Sequence, residues 1–155
     1  MTDVDVESRG SAALPEGARP SHAILENDHA ARWMGIEVRR VADGHATISM
    51  TLRQEMLNGF GIAHGGMVFA LADTAFAMAC NPAEGSEDTI TVASGVDINF
   101  LKAGIPGRTL SAVADRRGQA GRSGLYDIVV RQSVPDGEDE VIAEFRGRSR
   151  TIPKR

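Results

Sequence analysis

One cysteine, one tryptophan and one tyrosine occur in the 155 residues of this chain. A lone cysteine closes no internal disulfide, so the stapled framework of a small secreted domain is excluded and a reducing, cytoplasmic location is expected. An excess of positive charge is also lacking. The 17 Lys+Arg stand against 21 Asp+Glu, a formal net charge of -4, which argues against a general nucleic-acid binder. No apolar run is long enough for a bilayer. The longest, from Gly65 to Cys80, falls short of the ~20 residues a span needs and carries Asp73 in its middle, so no membrane partner is expected. The four histidines, His22, His29, His45 and His64, lack metal-ligand spacing, and neither a metal nor a cofactor is expected. The opening of the chain has no apolar core of the kind a leader needs and is rich in Gly, Pro, Ser and Ala. It reads as a disordered tail, 1–20, ahead of one soluble domain over 21–155.

What is present falls into two periodicities. Ser21 is a plausible N-cap for a short helix ending at about Met34, with Gly35 as its stop. From Gly44 the period becomes two: Ala46, Ile48, Met50 and Leu52 alternate with polar residues, as in a strand with one buried face. The same alternation returns in Val92 to Phe100, Leu110 to Ala114, Tyr126 to Val130 and Val141 to Phe145. The short connections AGIPG, GQAGRSG and PDG predict that these last four strands pair consecutively as an antiparallel meander. Between the first strand and the rest, the run from Gly65 to Cys80 has only Asp73 and Thr74 as polar residues and stops at Asn81-Pro82. That pattern predicts a helix buried on all sides. The fold class is α+β, a curved antiparallel sheet wrapped around one central helix, its remaining wall supplied by a second subunit.

An aspartate inside an apolar helix needs a reason, because an unpaired buried charge costs several kcal/mol. Asp73 either braces a neighbouring turn or is a carboxylate held in a cleft as base or nucleophile. The preceding residues favour chemistry. Asn58-Gly59 opens a loop, and His64-Gly65-Gly66 enters the helix with no side chains over its first amides, which suits developing negative charge on a carbonyl oxygen. Gly65 and Asp73 are eight residues apart, ~12 Å along one helix, beyond the reach of a carboxylate. A second subunit with its helix antiparallel must therefore supply the acid, and the site should lie on a two-fold interface.

Asn58-Gly59, His64-Gly65-Gly66, Leu71 to Ala77, Ala79-Cys80-Asn81 and Asp97 to Leu101 resemble the PaaI-type hotdog-fold acyl-CoA thioesterases of phenylacetate degradation. The similarity runs from about Glu26 to Arg150 and misses the tail. It implies hydrolysis of an aryl-CoA such as phenylacetyl- or hydroxyphenylacetyl-CoA, or of a short or medium acyl-CoA, to free acid and CoA. It implies Asp73 as the catalytic carboxylate, Gly65 as the amide donor on the thioester oxygen, and Asn58 as the polar loop residue from the opposite subunit; His64, beside Gly65, is taken with the catalytic residues and Gly66 with those that bind substrate. It also implies a homotetramer of two dimers with shared active sites. Where related branches carry a Thr or Ser one turn after the acid, this chain has Ala77, which offers no hydroxyl. A non-catalytic acyl-CoA-binding hotdog protein and a hotdog hydratase are the alternatives; the retained Asp73 speaks against the first, and the second wants an Asp/His pair on another motif.

Arg146, Arg148 and Arg150 alternate on the last strand, and Arg122-Ser123 closes a Gly-rich hairpin flanked by Arg116 and Arg117. This face, with Lys102 beside it, suits the phosphates of coenzyme A; the alternative is a solvated face whose arginines pair with Glu144 or Asp115. Cys80 reads as a small core residue rather than a nucleophile. Met56, Phe60, Met67 and Met78 are the expected lining of the acyl pocket.

Overall fold

In the computed structural model, residues 18–155 are described; the expected tail, 1–20, lies outside them except for its last three positions. The single helix predicted from Ser21 to Met34 is two pieces. Nδ1 of His22 accepts from the Ile24 N–H at 3.2 Å and caps a 3-10 turn, Ala23–Leu25, while Asp28 caps α1, His29–Met34, by accepting from the Ala31 N–H at 2.9 Å. Two capping side chains six residues apart divide what a single period suggested. Gly35 ends α1 at φ 69°, as expected.

Six strands follow: β1 Glu37–Ala42, β2 His45–Thr51, β3 Thr89–Phe100, β4 Thr109–Ala120, β5 Ser123–Gln132 and β6 Glu140–Pro153. β1 carries mostly exposed residues, so no apolar alternation announces it; its signal is the Asp43-Gly44 turn that folds it onto β2. The sheet order is β1-β2-β4-β5-β6-β3, antiparallel throughout. The meander holds for β4, β5 and β6 but not for β3, which pairs with β6 rather than β4. The reason is reach. Residues 101–108 span up to ~26 Å, enough to cross three strand spacings of ~4.8 Å, so a short connection does not require a hairpin.

Helix α2, Gly65–Cys80, touches all six strands. Six strands laid flat would spread over ~24 Å while a helix is ~10 Å across, so the sheet must curl around it, the hotdog arrangement. Leu71, Ala72, Ala75, Phe76, Met78 and Ala79 are buried against Ile48, Leu110, Ala112, Ile128, Val130 and Phe145. In the single chain the opposite face is left half-exposed, at Ala70, Asp73, Thr74, Ala77 and Cys80, where the sequence predicts a wall from a second subunit. Phe76 anchors the core, with ring centroids 5.4 Å from Tyr126 and 6.0 Å from Phe145. It fits because Gly147 on β6 has no side chain; a Cβ there would lie 2.7 Å from the Phe76 ring.

Gly147→Ala is expected to overpack this contact by roughly 1–3 kcal/mol, lowering Tm by roughly 2–12 °C with helix and strand content unchanged. Thermal unfolding followed by circular dichroism checks it; an unshifted Tm would mean that the ring does not rest there.

Candidate active site

The loop before α2 is built by its own side chains. Asn58 Oδ1 accepts from the Phe60 N–H at 2.9 Å, and the Asn58 N–H bonds the Ile62 carbonyl at 2.8 Å, closing a tight turn. The Asn58 carboxamide NH2 is left without a partner among the described residues. His64 is the N-cap of α2: its Nδ1 accepts from the Gly66 N–H at 3.0 Å, so the ring carries its proton at Nε2. The Gly66 amide is thereby occupied. The Gly65 N–H makes no hydrogen bond among the described residues and sits at the positive end of the helix.

Asn58 and Gly65 share a cavity of about 380 Å³ whose walls include Ile62, Val68, Phe100, Leu101, Ala103 and Ile142, with Lys102 at its side. The ring of Phe100 lies against Gly65, 3.3 Å from where a Cβ would stand. Of the expected lining, Met56 and Met78 are fully buried core residues, Phe60 is 89% exposed at the loop tip, and none of the three borders this cavity; nor does Met67. Phe100 and Leu101 belong to the Asp97 to Leu101 motif, which was the available signal for them. Nothing local marked Ile142.

Asp73 does not border the cavity. It stands on the open face of α2, half-buried, and burial pushes its carboxyl above the ordinary aspartate value. Cys80, two turns further on, has its thiol pushed up to about 12, chiefly by burial and further by Asp73, which agrees with an inert core residue. Within one chain the amide donor and the acid remain apart. No group of three or more His, Cys, Asp and Glu is placed to hold a metal among the described residues.

The arginines of β6 do share one exposed face, but their partners differ from those expected. Arg146 grips Asp127 with two bonds of 2.6 and 3.0 Å, which Arg117 joins at 3.4 Å, and Arg148 faces Asp97 at 3.7 Å. Asp115 instead takes His45 at 2.7 Å. Arg116 is clamped to Asp43 at 2.6 and 3.1 Å, and Lys102 pairs with Glu140 at 2.9 Å. Arg122 and Arg150 have no ion-pair partner among the described residues. Ser123 stands opposite Arg150 in the β5–β6 register, so Arg122, Ser123 and Arg150 form a basic corner. That corner is ~26 Å along β6 from Ile142 and the cavity.

Residues 60–137 match the thioesterase superfamily. An acyl-coenzyme A thioesterase of Escherichia coli, PaaI, is 42% identical over 132 residues, covering 85% of this chain and 89% of that protein. The solved structure of the E. coli PaaI protein from the phenylacetic acid degradation operon superposes with a TM-score of 0.75, over 84% of this chain and 88% of that one. A putative esterase of Archaeoglobus fulgidus is 31% identical over 71% of this chain and 69% of its own length. The fold is shared as well with a Streptococcus mutans protein solved with acetyl CoA, at 21% identity and a TM-score of 0.64 over 77% of this chain and 90% of that one.

Because the pKa of Asp73 is raised by folding, its contribution to stability is full below the unfolded value and is lost as pH rises through the folded one. Asp73→Asn removes the titration. Its Tm is expected to match that of the parent in acid, below ~3.9, and to exceed it increasingly toward neutral pH. A pH series of thermal melts tests this; a gap of the opposite sign, or one that ignores pH, would remove burial as the cause.

Proposed function

The chain belongs to the thioesterase superfamily and is a thioester hydrolase; from that premise we propose that it hydrolyses the CoA thioester of an aryl acid, such as phenylacetyl- or hydroxyphenylacetyl-CoA, or of a short or medium acyl chain. The observation that carries the reading is the unbonded Gly65 amide in an apolar cavity, paired with a half-buried carboxylate on the same helix. The thioester oxygen accepts from the Gly65 N–H, which favours the charge that grows there as the carbonyl carbon becomes tetrahedral. Asp73, made a stronger base by burial, attacks that carbon or takes the proton of an attacking water. The C–S bond breaks and the thiolate takes a proton; water's oxygen enters the acid directly where Asp73 acts as base, and where Asp73 attacks, water then cleaves the acyl–Asp73 anhydride to release the acid and restore the carboxylate. Asn58 offers its free carboxamide NH2 beside the reacting carbonyl. These groups and water supply every role, and a cytoplasmic location goes with such a substrate.

The separation of Gly65 and Asp73 requires two chains in one site, and β3 supports a way to join them. It is an edge strand of 12 residues whose Ile90, Val92 and Phe100 are exposed, with Leu101 following. Such an edge invites a second copy. A two-fold through it sets the helices antiparallel and brings one chain's Val92–Arg150 end near its partner's Phe100–Ala143 end. The basic corner, Arg122, Ser123 and Arg150, then serves the partner's cavity, where it holds CoA phosphates; Arg148 and Lys102, half-committed to carboxylates, are secondary. Two such dimers form the tetramer.

Asp73→Asn is expected to lower kcat by at least ~10²-fold while the chain still folds. Refolding it together with Asn58→Ala, each nearly inactive alone, is expected to restore part of the activity, because a mixed dimer has one intact site. Verified mixed dimers without activity would place the site within one chain.

Arg122→Ala and Arg150→Ala are each expected to raise KM for the CoA thioester roughly 10-fold, since a charge-assisted phosphate contact is worth ~1.5–3 kcal/mol. The pantetheine thioester of the same acid lacks those phosphates, and its KM should respond to neither substitution nor to salt. Equal responses from both substrates would take the coenzyme away from this corner.

A further inference from the structure

One buried side chain away from the reacting groups ties down much of the cavity wall. Gln132, the last residue of β5, is 1% exposed. Its Oε1 accepts from the Ile105 N–H at 3.0 Å, and its Nε2 donates to the Ala103 carbonyl at 3.1 Å and to the Glu140 carboxylate at 2.7 Å. Burying a carboxamide is unfavourable unless it is satisfied, and here every bond goes to the crossover between β3 and β4 or to a residue that holds it. Glu140 passes the restraint on, accepting from Lys102 at 2.9 Å and from Arg108 at 3.5 Å.

The two loop bonds of Gln132 flank Gly104. The Gly104 carbonyl accepts from the Ala63 N–H at 2.9 Å, two residues before Gly65. A Cβ on Gly104 would lie 2.6 Å from the Ala63 Cβ, so the two loops that wall the cavity meet without slack. Leu101 and Lys102 hang from the Ile142 carbonyl at 2.8 and 3.2 Å. The position of Leu101 and Ala103 relative to the Gly65 amide is therefore set by these backbone bonds together with the Gln132 carboxamide, the one side chain that bonds this segment on both sides of Gly104.

We propose that Gln132 is a positioning residue that sets the acyl-group selectivity of the cavity by holding the 101–105 segment against the start of α2. This deepens the thioesterase reading and rests on it. Removing the carboxamide leaves the Ile105 N–H and Ala103 carbonyl to seek water, and the wall moves outward. Chemistry common to all thioesters is left in place; what changes is the fit of the group that fills the cavity. A pocket distinguishes groups that differ by a methylene by 10–200-fold at most, so a looser wall should erode discrimination on that scale.

The test compares kcat/KM for phenylacetyl-, benzoyl-, butyryl- and octanoyl-CoA. Gln132→Met keeps chain length and removes all three bonds. It is expected to change the ratio of the best aryl to the best straight-chain substrate by roughly 10-fold, while kcat on the smallest acyl group accepted stays within about 3-fold. Ile48→Val, in the core of β2 and away from the cavity, lowers stability without touching this network and should leave the ratio unchanged. Amide hydrogen exchange at Ile105 and Ala63 should quicken in Gln132→Met relative to Ile48→Val. If Gln132→Met does not fold, Gln132→Asn, one methylene too short to span both loop groups, carries the same expectations. Parent-like ratios or parent-like exchange in the folded variant overturn the proposal. A parent protein that hydrolyses none of the four thioesters, while Ile105 exchange still depends on Gln132, would instead overturn the proposed aryl or short to medium acyl-CoA substrate and the selectivity role with it.

Discussion

A helix of sixteen residues has to lie against six strands at once, and the rest of the molecule follows from how α2 meets that demand. Its buried face is built largely from small and medium residues, Leu71, Ala72, Ala75 and Ala79, with the large ring of Phe76 seated over Gly147. Close-packed interiors leave no other room for that ring. Once the sheet has closed on this face, the opposite one is left half-open with Asp73 at its centre, and the helix start projects toward the β3–β4 crossover. The donor end and the acid are then fixed on one rigid rod, ~12 Å apart. No rearrangement short of breaking the helix brings them together, so in the proposed function the constraint that builds the core also calls for a second chain.

The charges sort themselves around the same frame. Carboxylates on the outer face consume Arg116, Arg117 and Arg146 and engage Arg148, whereas at the corner Arg122 and Arg150 have no ion-pair partner among the described residues. On the open face of α2 two acidic groups stand two turns apart. Burial raises both, but a thiol pushed up to about 12 is out of use at neutral pH, whereas a carboxyl raised from its ordinary value becomes a better base. Asn81, just past the helix, binds both the N–H and the carbonyl of Thr91 at 2.9 Å and so ties the acid-bearing helix to the edge strand through which a second copy is proposed to join.

Local order was legible wherever a period or a cap wrote it. The alternation in Ala46 to Leu52 and the small-residue run of α2 were read at the right places, as were the Gly35 stop and the isolation of Asp73. The reading failed where two local signals competed or where no apolar signal existed. His22 and Asp28 both cap, so one expected helix became a 3-10 turn and a short helix. β1 is exposed along most of its length and showed no alternation. Of the candidate site, Asn58, Gly65 and Asp73 were singled out because each stands apart chemically from its surroundings, and Met56 and Met78 were misjudged because a methionine looks the same whether it lines a pocket or fills a core.

By itself the sequence determined five of the six strands and the central helix, and it singled out the residues proposed for the chemistry, because those properties depend on neighbours one to eight positions away. Only the tertiary structure decided that β3 lies beside β6, that Phe100 and Ile142 wall the cavity, that Arg146 belongs to Asp127, and that Gln132 holds a loop 27 to 29 positions distant. The physical reason is that a strand's edge accepts many partners of equal local quality, and the choice among them is made by the one packing in which the whole core closes.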